Sequence, residues 1–323
     1  MTPILHQLTD NITLIDLQFQ GRVETIASYL IFDGETAALI ETGPASTVDT
    51  LLHGVQAAGV PFEALRQILV THIHLDHASG ATVLARQLPW LRIYVHPLGA
   101  PHLADPSKLL ASAARLYGEQ MERLWGTVVP VRQENLRVVN DGDEIPIPGS
   151  VLRVMETPGH ARHHQVYFDP KSGLLFTGDI GGVRMPGVRY VRPPTPPPEL
   201  DLDAWRASIA RLRALDATGL CLTHFGLFRG NLAWHWNDLE QRLVAWGELA
   251  RTQREQGADE RTILQQMQAQ DETDLSRLGV DSSAYDVAIN FESLVAGYVR
   301  YWKKASTNSK RDVPRAGVRH DVG

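Results

Sequence analysis

The sequence predicts an α/β protein with a mixed sheet, built as two α/β layers that face each other. Two observations carry this. Short β-rich runs alternate with segments of helical period in two rounds along the chain. Each round ends in residue types that ligate metals: Thr71-His72-Ile73-His74-Leu75-Asp76-His77 in the first, Gly178-Asp179 and Thr223-His224 in the second. The bulk numbers agree. With 323 residues, 43% of them apolar and 21% charged, the chain is long enough for one large domain with an appendage or for two small ones.

The first round opens with β-rich Ile12–Leu17 and Ile26–Phe32, the turn signal Asp33-Gly34, and a returning strand at Ala37–Ile40 that Glu41-Thr42-Gly43 breaks. From Ser46 to Gly59 the period becomes helical, with Val48, Leu51, Leu52 and Val55 on one face and Gly59-Val60-Pro61 as the stop. A short buried strand, Ile68-Leu69-Val70, runs into the histidine segment; a helix is expected from about Gly80 to Gln87 and a strand from Arg92 to Val95. Residues 103–125 read as helical, with Leu109, Leu110, Ala113, Leu116 and Tyr117 on one face.

The second round has strands at Arg137–Val139 and Val151–Val154, then a hairpin from His164–Phe168 to Leu174–Thr177 that delivers Asp179. Residues 183–198 are proline-rich, carry Arg184, Arg189, Tyr190 and Arg192, and hold no acidic residue. A helix follows over Asp201–Leu215, with Asp203 as its expected cap, then the strand Leu220–Leu222. Near the C-terminus, Ala284, Val287, Ala288, Phe291, Leu294, Val295, Tyr298 and Trp302 recur at steps of three and four. That stripe is expected to dock on the main domain or on a second copy in a homodimer. Beyond Lys304 the chain is polar and basic without periodicity, and disorder is expected.

A net charge of −6 and a sequence pI near 6.1 exclude a basic nucleic-acid binder. The single cysteine, Cys221, excludes an internal disulfide, disfavours a thiolate zinc site, and reads as a small core residue in an apolar run. No signal-peptide pattern opens the chain and no apolar run is long enough to span a bilayer, so no membrane association is expected and a cytoplasmic location is.

Five of the 13 histidines fall in three short segments, each following an expected strand. His72 and His74 stand two apart, so on extended chain they face one way; Asp76 and His77 follow as the chain turns into helix. These four cannot complete two coordination spheres. Thr157-Pro158-Gly159-His160, Gly178-Asp179 and Thr223-His224 offer two further imidazoles and a carboxylate able to bridge two cations. Nitrogen and oxygen donors without sulfur suit Zn²⁺, Fe or Mn; zinc is expected first.

The order His-x-His-x-Asp-His, a distant His, Gly-Asp and a final His resembles the metallo-β-lactamase superfamily at all seven ligand positions, over about residues 10–230. The resemblance implies an αββα sandwich in which His72, His74 and His160 hold one metal, Asp76, His77 and His224 the other, and Asp179 bridges. It implies a water shared by two divalent ions, made nucleophilic at neutral pH, with Asp76 and Asp179 as the catalytic carboxylates. The expected organisation is a catalytic domain over 1–230 with a helical insert near 103–125, a helical extension over 231–303, and a disordered tail over 304–323.

Around this set, one of His163 and His164 is a candidate to orient a ligand or touch substrate, and His164, Arg184, Arg189 and Tyr190 are taken as substrate-contacting candidates. His96 reads as structural; His6, His53, His102, His235 and His320 read as surface residues. The expected activity is metal-dependent hydrolysis of a carboxylic ester, lactone or thioester, similar to lactonases and hydroxyacylglutathione hydrolase. One departure counts against a lactonase: the tyrosine that N-acyl homoserine lactonases carry three residues after the bridging aspartate is Gly182 here. The alternatives are a phosphodiesterase acting on a small phosphate ester and a metal-binding protein without hydrolase activity.

Overall fold

The computed structural model describes residues 2–311. A seven-stranded sheet follows chain order: β1 (Ile4–Gln7), β2 (Ile12–Asp16), β3 (Ala27–Phe32), β4 (Ala37–Ile40), β5 (Leu65–Leu69), β6 (Arg92–Val95) and β7 (Leu136–Val138). Its first four strands pair antiparallel, as hairpin-length connections allow, and β4 to β7 pair parallel. The crossovers carry helices α1 (Val48–Ala57), α2 (Leu75–Gln87), α3 (Ala100–Ala104), α4 (Ser107–Tyr117) and α5 (Met121–Trp125). The second sheet holds β8 (Glu144–Ile147), β9 (Ser150–Glu156), β10 (Gln165–Asp169), β11 (Leu174–Phe176), β12 (Gly219–Leu222) and β13 (Gly226–Phe228), in the order β13-β12-β11-β10-β9-β8. Only β11 and β12 pair parallel, joined through α6 (Leu202–Arg213). Four more helices complete the described chain: α7 (Leu232–Glu255), α8 (Glu260–Arg277), α9 (Ser283–Asp286) and α10 (Phe291–Arg311).

Strands buried on both faces explain the near-continuous apolar runs. Tyr29, Ile31, Ala38 and Ile40 meet Val154, Tyr167, Phe176 and Cys221 in a core between the sheets. Their alternates Leu30 and Leu39 pack outward with α1 and α2, while Met155, Val166 and Leu175 pack outward with α6, α7, α8 and α10. The result is helices, sheet, sheet, helices. This is the αββα sandwich expected, and Cys221 is buried in its middle.

Several boundaries differ from expectation. Helix α2 begins at Leu75 rather than near Gly80, so Asp76 and His77 belong to its first turn, where a carboxylate is favourable beside the free N–H groups. The insert is three helices rather than one, because Pro106 lacks an N–H and Gly118 takes a positive φ of 50°. The cap of α6 is Asp201, which accepts from the Ala204 N–H at 3.0 Å, and not Asp203. In the C-terminal stripe, Phe291, Leu294, Val295 and Tyr298 are buried against helices of the same chain. Helix α10 runs on through Arg311, so residues 304–311 are helical rather than disordered; Lys303 and Lys304 are good helix formers. The rest of the expected tail lies outside the described residues.

Candidate metal centre

Strand ends from both sheets converge on one rim of the sandwich, which is where a rigid scaffold can hold ligands in place. Strand β5 leads into Thr71–His74 and β9 into Thr157–His160; β11 ends before Gly178-Asp179 and β12 before Thr223-His224. Two glycines make the approach possible. Gly159 has φ 144°, and a Cβ there would lie 2.4 Å from the Trp205 backbone. Gly178 has φ 50°, and a Cβ would lie 2.4 Å from Thr71 Oγ1. A side chain at either would displace the ligand beside it.

The seven expected ligands fall into two groups that could each hold a metal: His72, His74, His160 and Asp179, then Asp76, His77 and His224. In the first, His74 Nδ1 is 3.0 Å from His72 Nε2 and 2.9 Å from His160 Nε2, and Asp179 Oδ2 is 3.3 Å from His160 Nε2 and 4.0 Å from His72 Nε2. In the second, Asp76 Oδ2 is 3.7 Å from His77 Nε2 and 3.5 Å from His224 Nε2. Asp179 turns its other oxygen to this second group, with Oδ1 3.2 Å from His77 Nε2 and 3.4 Å from His224 Nε2. Donors about 2.0–2.1 Å from a tetrahedral zinc stand about 3.3–3.4 Å apart, so these separations fit cations between them. His77 Nε2 and Asp179 Oδ1 are buried without a hydrogen bond. Such orphaned atoms are costly unless a ligand takes them.

Three of the remaining ring nitrogens are held by oxygen partners and a fourth faces a carboxylate, which aims the others inward. His160 Nδ1 donates to the Pro194 carbonyl at 2.7 Å and His224 Nδ1 to the Thr25 carbonyl at 3.0 Å. His72 Nδ1 meets Thr71 Oγ1 at 3.1 Å. His77 Nδ1 lies 3.3 Å from Glu41 Oε2. The sequence reading missed Glu41, treating it only as part of a strand break. It is buried at a positive φ of 62°, a strained conformation for a non-glycine residue, and its Oε1 accepts the Thr71 N–H at 3.0 Å. One carboxylate thus holds the histidine segment's first turn and lies against the His77 ring. A strand-end acid followed by Thr-Gly was the available signal.

Charge in the centre is shared unevenly. Burial disfavours the charged form of His224, yet Asp179 and Asp76 outweigh it and raise its pKa to about 9. His77 is raised in the same way. Burial, with neighbouring imidazoles, pushes His72 well down and His74 to about 3. Burial opposes the Asp179 carboxylate, but His77, His160 and His224 hold it well below the usual range. Asp179 is therefore an anion ready for cations.

The expected substrate residues are corrected by the structure. His164 is fully buried: Nδ1 meets Thr157 Oγ1 at 2.8 Å, and Nε2 accepts the Asp179 N–H at 3.1 Å. It holds the turn bearing Asp179 and cannot reach a substrate. Arg184 lies over the Phe228 ring at 4.2 Å and Arg189 over Trp234 at 4.6 Å. Tyr190 is buried and hydrogen-bonds Asp271. The loop turns these side chains away because Val183 and Arg192 pair as a short antiparallel bridge, and β13, α7 and α8 supply their partners. Its later part, Pro194 and Pro196–Glu199, does wall the cavity over the metal centre. His163 lines that cavity, with Nε2 3.6 Å from Glu199 Oε2; half-buried His102 lines it too. So do Phe19, Trp125 and residues 286–290, which the sequence reading did not assign to the site. His96 is structural as expected, its Nδ1 accepting the Leu98 N–H at 3.1 Å. His6 and His53 are exposed, and His320 lies outside the described residues.

His235 is not on the surface. It is fully buried on α7, its Nε2 donating to the Gly181 carbonyl at 2.8 Å, and burial lowers its pKa to about 4. The unfolded ring takes a proton near pH 6.5. Burial of His235 therefore costs nothing above that pH and costs progressively more as pH falls from about 6.5 toward about 4. Between pH 7.5 and 4.5, the wild type is expected to lose about 2 kcal/mol more unfolding free energy than His235→Gln. Equal losses in chemical denaturation would refute it.

The family described as the metallo-beta-lactamase superfamily matches residues 21–224, the stretch that carries both sheets' ligands. The chain belongs to that superfamily. A metallo-beta-lactamase fold-containing protein of Sulfurisphaera tokodaii, ST1585, is 30% identical over 169 residues, 51% of this chain and 62% of that one. A hydroxyacylglutathione hydrolase of Legionella pneumophila is 27% identical over 115 residues, 36% of this chain and 33% of that one. The chain thus spans less than two thirds of these relatives' length. The crystal structure of the superfamily protein TTHA1429 from Thermus thermophilus superposes with a TM-score of 0.66 at 19% identity, covering 93% of this chain and 95% of that one. It shares the metallo-beta-lactamase fold. Among the described residues no helix is long and apolar enough to cross a membrane.

Proposed function

We propose that this protein is a dinuclear metal-dependent hydrolase of a carboxylic ester, lactone or thioester. Asp179 carries the reading: its two oxygens serve two different donor groups, 3.3 Å from His160 and 3.2 Å from His77, at the floor of a cavity. Two divalent cations there, zinc first among those the donors suit, would bring the pKa of a bound water down to about 7 and polarise a carbonyl oxygen. The chain's own residues do the rest. Asp76, whose side chain is 18% exposed where Asp179 is 6%, reaches the cavity and accepts a hydrogen bond from the attacking water, orienting it. The apolar walls exclude bulk solvent and present the scissile bond to this pair.

The cavity's lining favours acyl over phosphate chemistry. Among the lining residues Lys108 and Arg123 are matched in number by Glu199 and Asp286, so the rim adds no cluster of cationic side chains to the metals for a phosphodiester. The relative named as a hydroxyacylglutathione hydrolase supports the same choice. Metal-loaded protein should turn over acyl lactones, esters or thioesters, and chelation should stop it. Turnover confined to phosphodiesters would overturn the reading.

A further inference from the structure

The cavity over the metal centre measures about 360 Å³, the size of a small-molecule site. One side is apolar and aromatic. Phe19 and Trp125 stack with ring centroids 5.6 Å apart, and Tyr117 meets Trp125 edge-on at 4.9 Å. Helix α4 turns an apolar face toward it, yet of α4 only Ala113 is buried, and Leu116 is left 45% exposed. An apolar helix face that the chain leaves uncovered, continuous with His74, Asp76 and Asp179 in one cavity, is a site for the apolar part of a ligand. Half-buried Tyr117 lines the same cavity. Burial keeps its phenol protonated well above the usual range, so it stays a donor.

The charged rim is already committed. Arg123 bonds the Gln120 and Gln20 side chains at 2.9 and 3.3 Å, Asp286 pairs with Arg192 at 2.6 Å, and Glu199 accepts the Arg162 N–H at 3.1 Å. A substrate bearing several charges, as a glutathione conjugate does, finds two cations, Lys108 and Arg123, without an ion pair among the described residues, and Arg123 already donates to two side-chain amides. A hydrophobic acyl group finds a wall built for it.

We propose that the substrate is the ester, lactone or thioester of a hydrophobic acid, a medium-length aliphatic or an aromatic one, whose acyl group lies against Leu116, Tyr117 and Trp125. This rests on the acyl-hydrolase reading above. The test uses metal-loaded protein and a series of esters with one leaving group and acyl chains from acetyl to decanoyl. kcat/KM should rise about fourfold per methylene, on the order of 10²-fold from acetyl to hexanoyl, then level as the cavity fills. Calorimetry reads binding without turnover: octanoate should bind at least tenfold more tightly than acetate or glutathione. Leu116→Asp, on an exposed helix position that leaves the fold intact, should flatten the series and weaken octanoate. A flat series with octanoate no tighter than acetate overturns this inference and leaves the hydrolase reading standing. No turnover of any acyl compound overturns that reading and this inference with it.

Discussion

Asp179→Ala is expected to lower kcat/KM by on the order of 10³-fold or more and to drop bound metal from two equivalents toward one or none. The reason is charge as much as geometry. Two divalent cations among neutral imidazoles would have two carboxylates in the candidate ligand groups to offset them, Asp76 and Asp179. Removing the shared one leaves a buried site with three uncompensated charges, in surroundings where the side chain was only 6% exposed. It also vacates a position in both groups at once, since Oδ2 faces His160 and Oδ1 faces His77 and His224. Asp179→Asn separates the two causes: it keeps the shape and loses the charge, and should behave nearly as badly. Metal analysis alongside kinetics decides it. Full stoichiometry with undiminished turnover in either variant would refute Asp179's bridging role.

Arg192→Leu is expected to destabilise the fold by about 3–5 kcal/mol. Arg192 is fully buried. One nitrogen meets Asp271 Oδ2 at 2.5 Å and another meets Asp286 Oδ1 at 2.6 Å, while the guanidinium lies over the Tyr285 ring at 4.9 Å. Truncation leaves Asp271, which is 1% exposed, with only the Tyr190 hydroxyl. The cost is that of an unpaired buried carboxylate, so a double variant Arg192→Leu/Asp271→Leu should recover a good part of the loss. Denaturant unfolding of the metal-loaded variants gives the cycle. If the double variant is as unstable as the sum of the singles, the ion pair is not the source.

What could be read in the sequence divides along physical lines. The ligands were legible because HxHxDH places four donors in one strand-to-helix turn, and because Gly159, Gly178 and Thr223 stand beside the other three, where a tight backbone path is needed. The sandwich was legible from apolar runs such as Ala37–Ile40, buried on both faces. Glu41 was not, since a lone acid at a strand end carries no periodic signal. The arginines of residues 184–192 misled for a related reason. They follow Asp179 closely, but their partners Phe228, Trp234, Asp271 and Asp286 come from segments up to 94 residues away. Proximity in sequence said where the loop starts and nothing about where its side chains turn. Phe19, Trp125 and Val287 reach the cavity from three distant stretches, and no local pattern joins them.

Residues 286–290 line the cavity although the superfamily match ends at residue 224. The candidate metal ligands and part of the cavity wall above them therefore lie on separate stretches of the chain. A chimaera cut between β13 and α7 would exchange that part of the wall while leaving all seven candidate ligands in place.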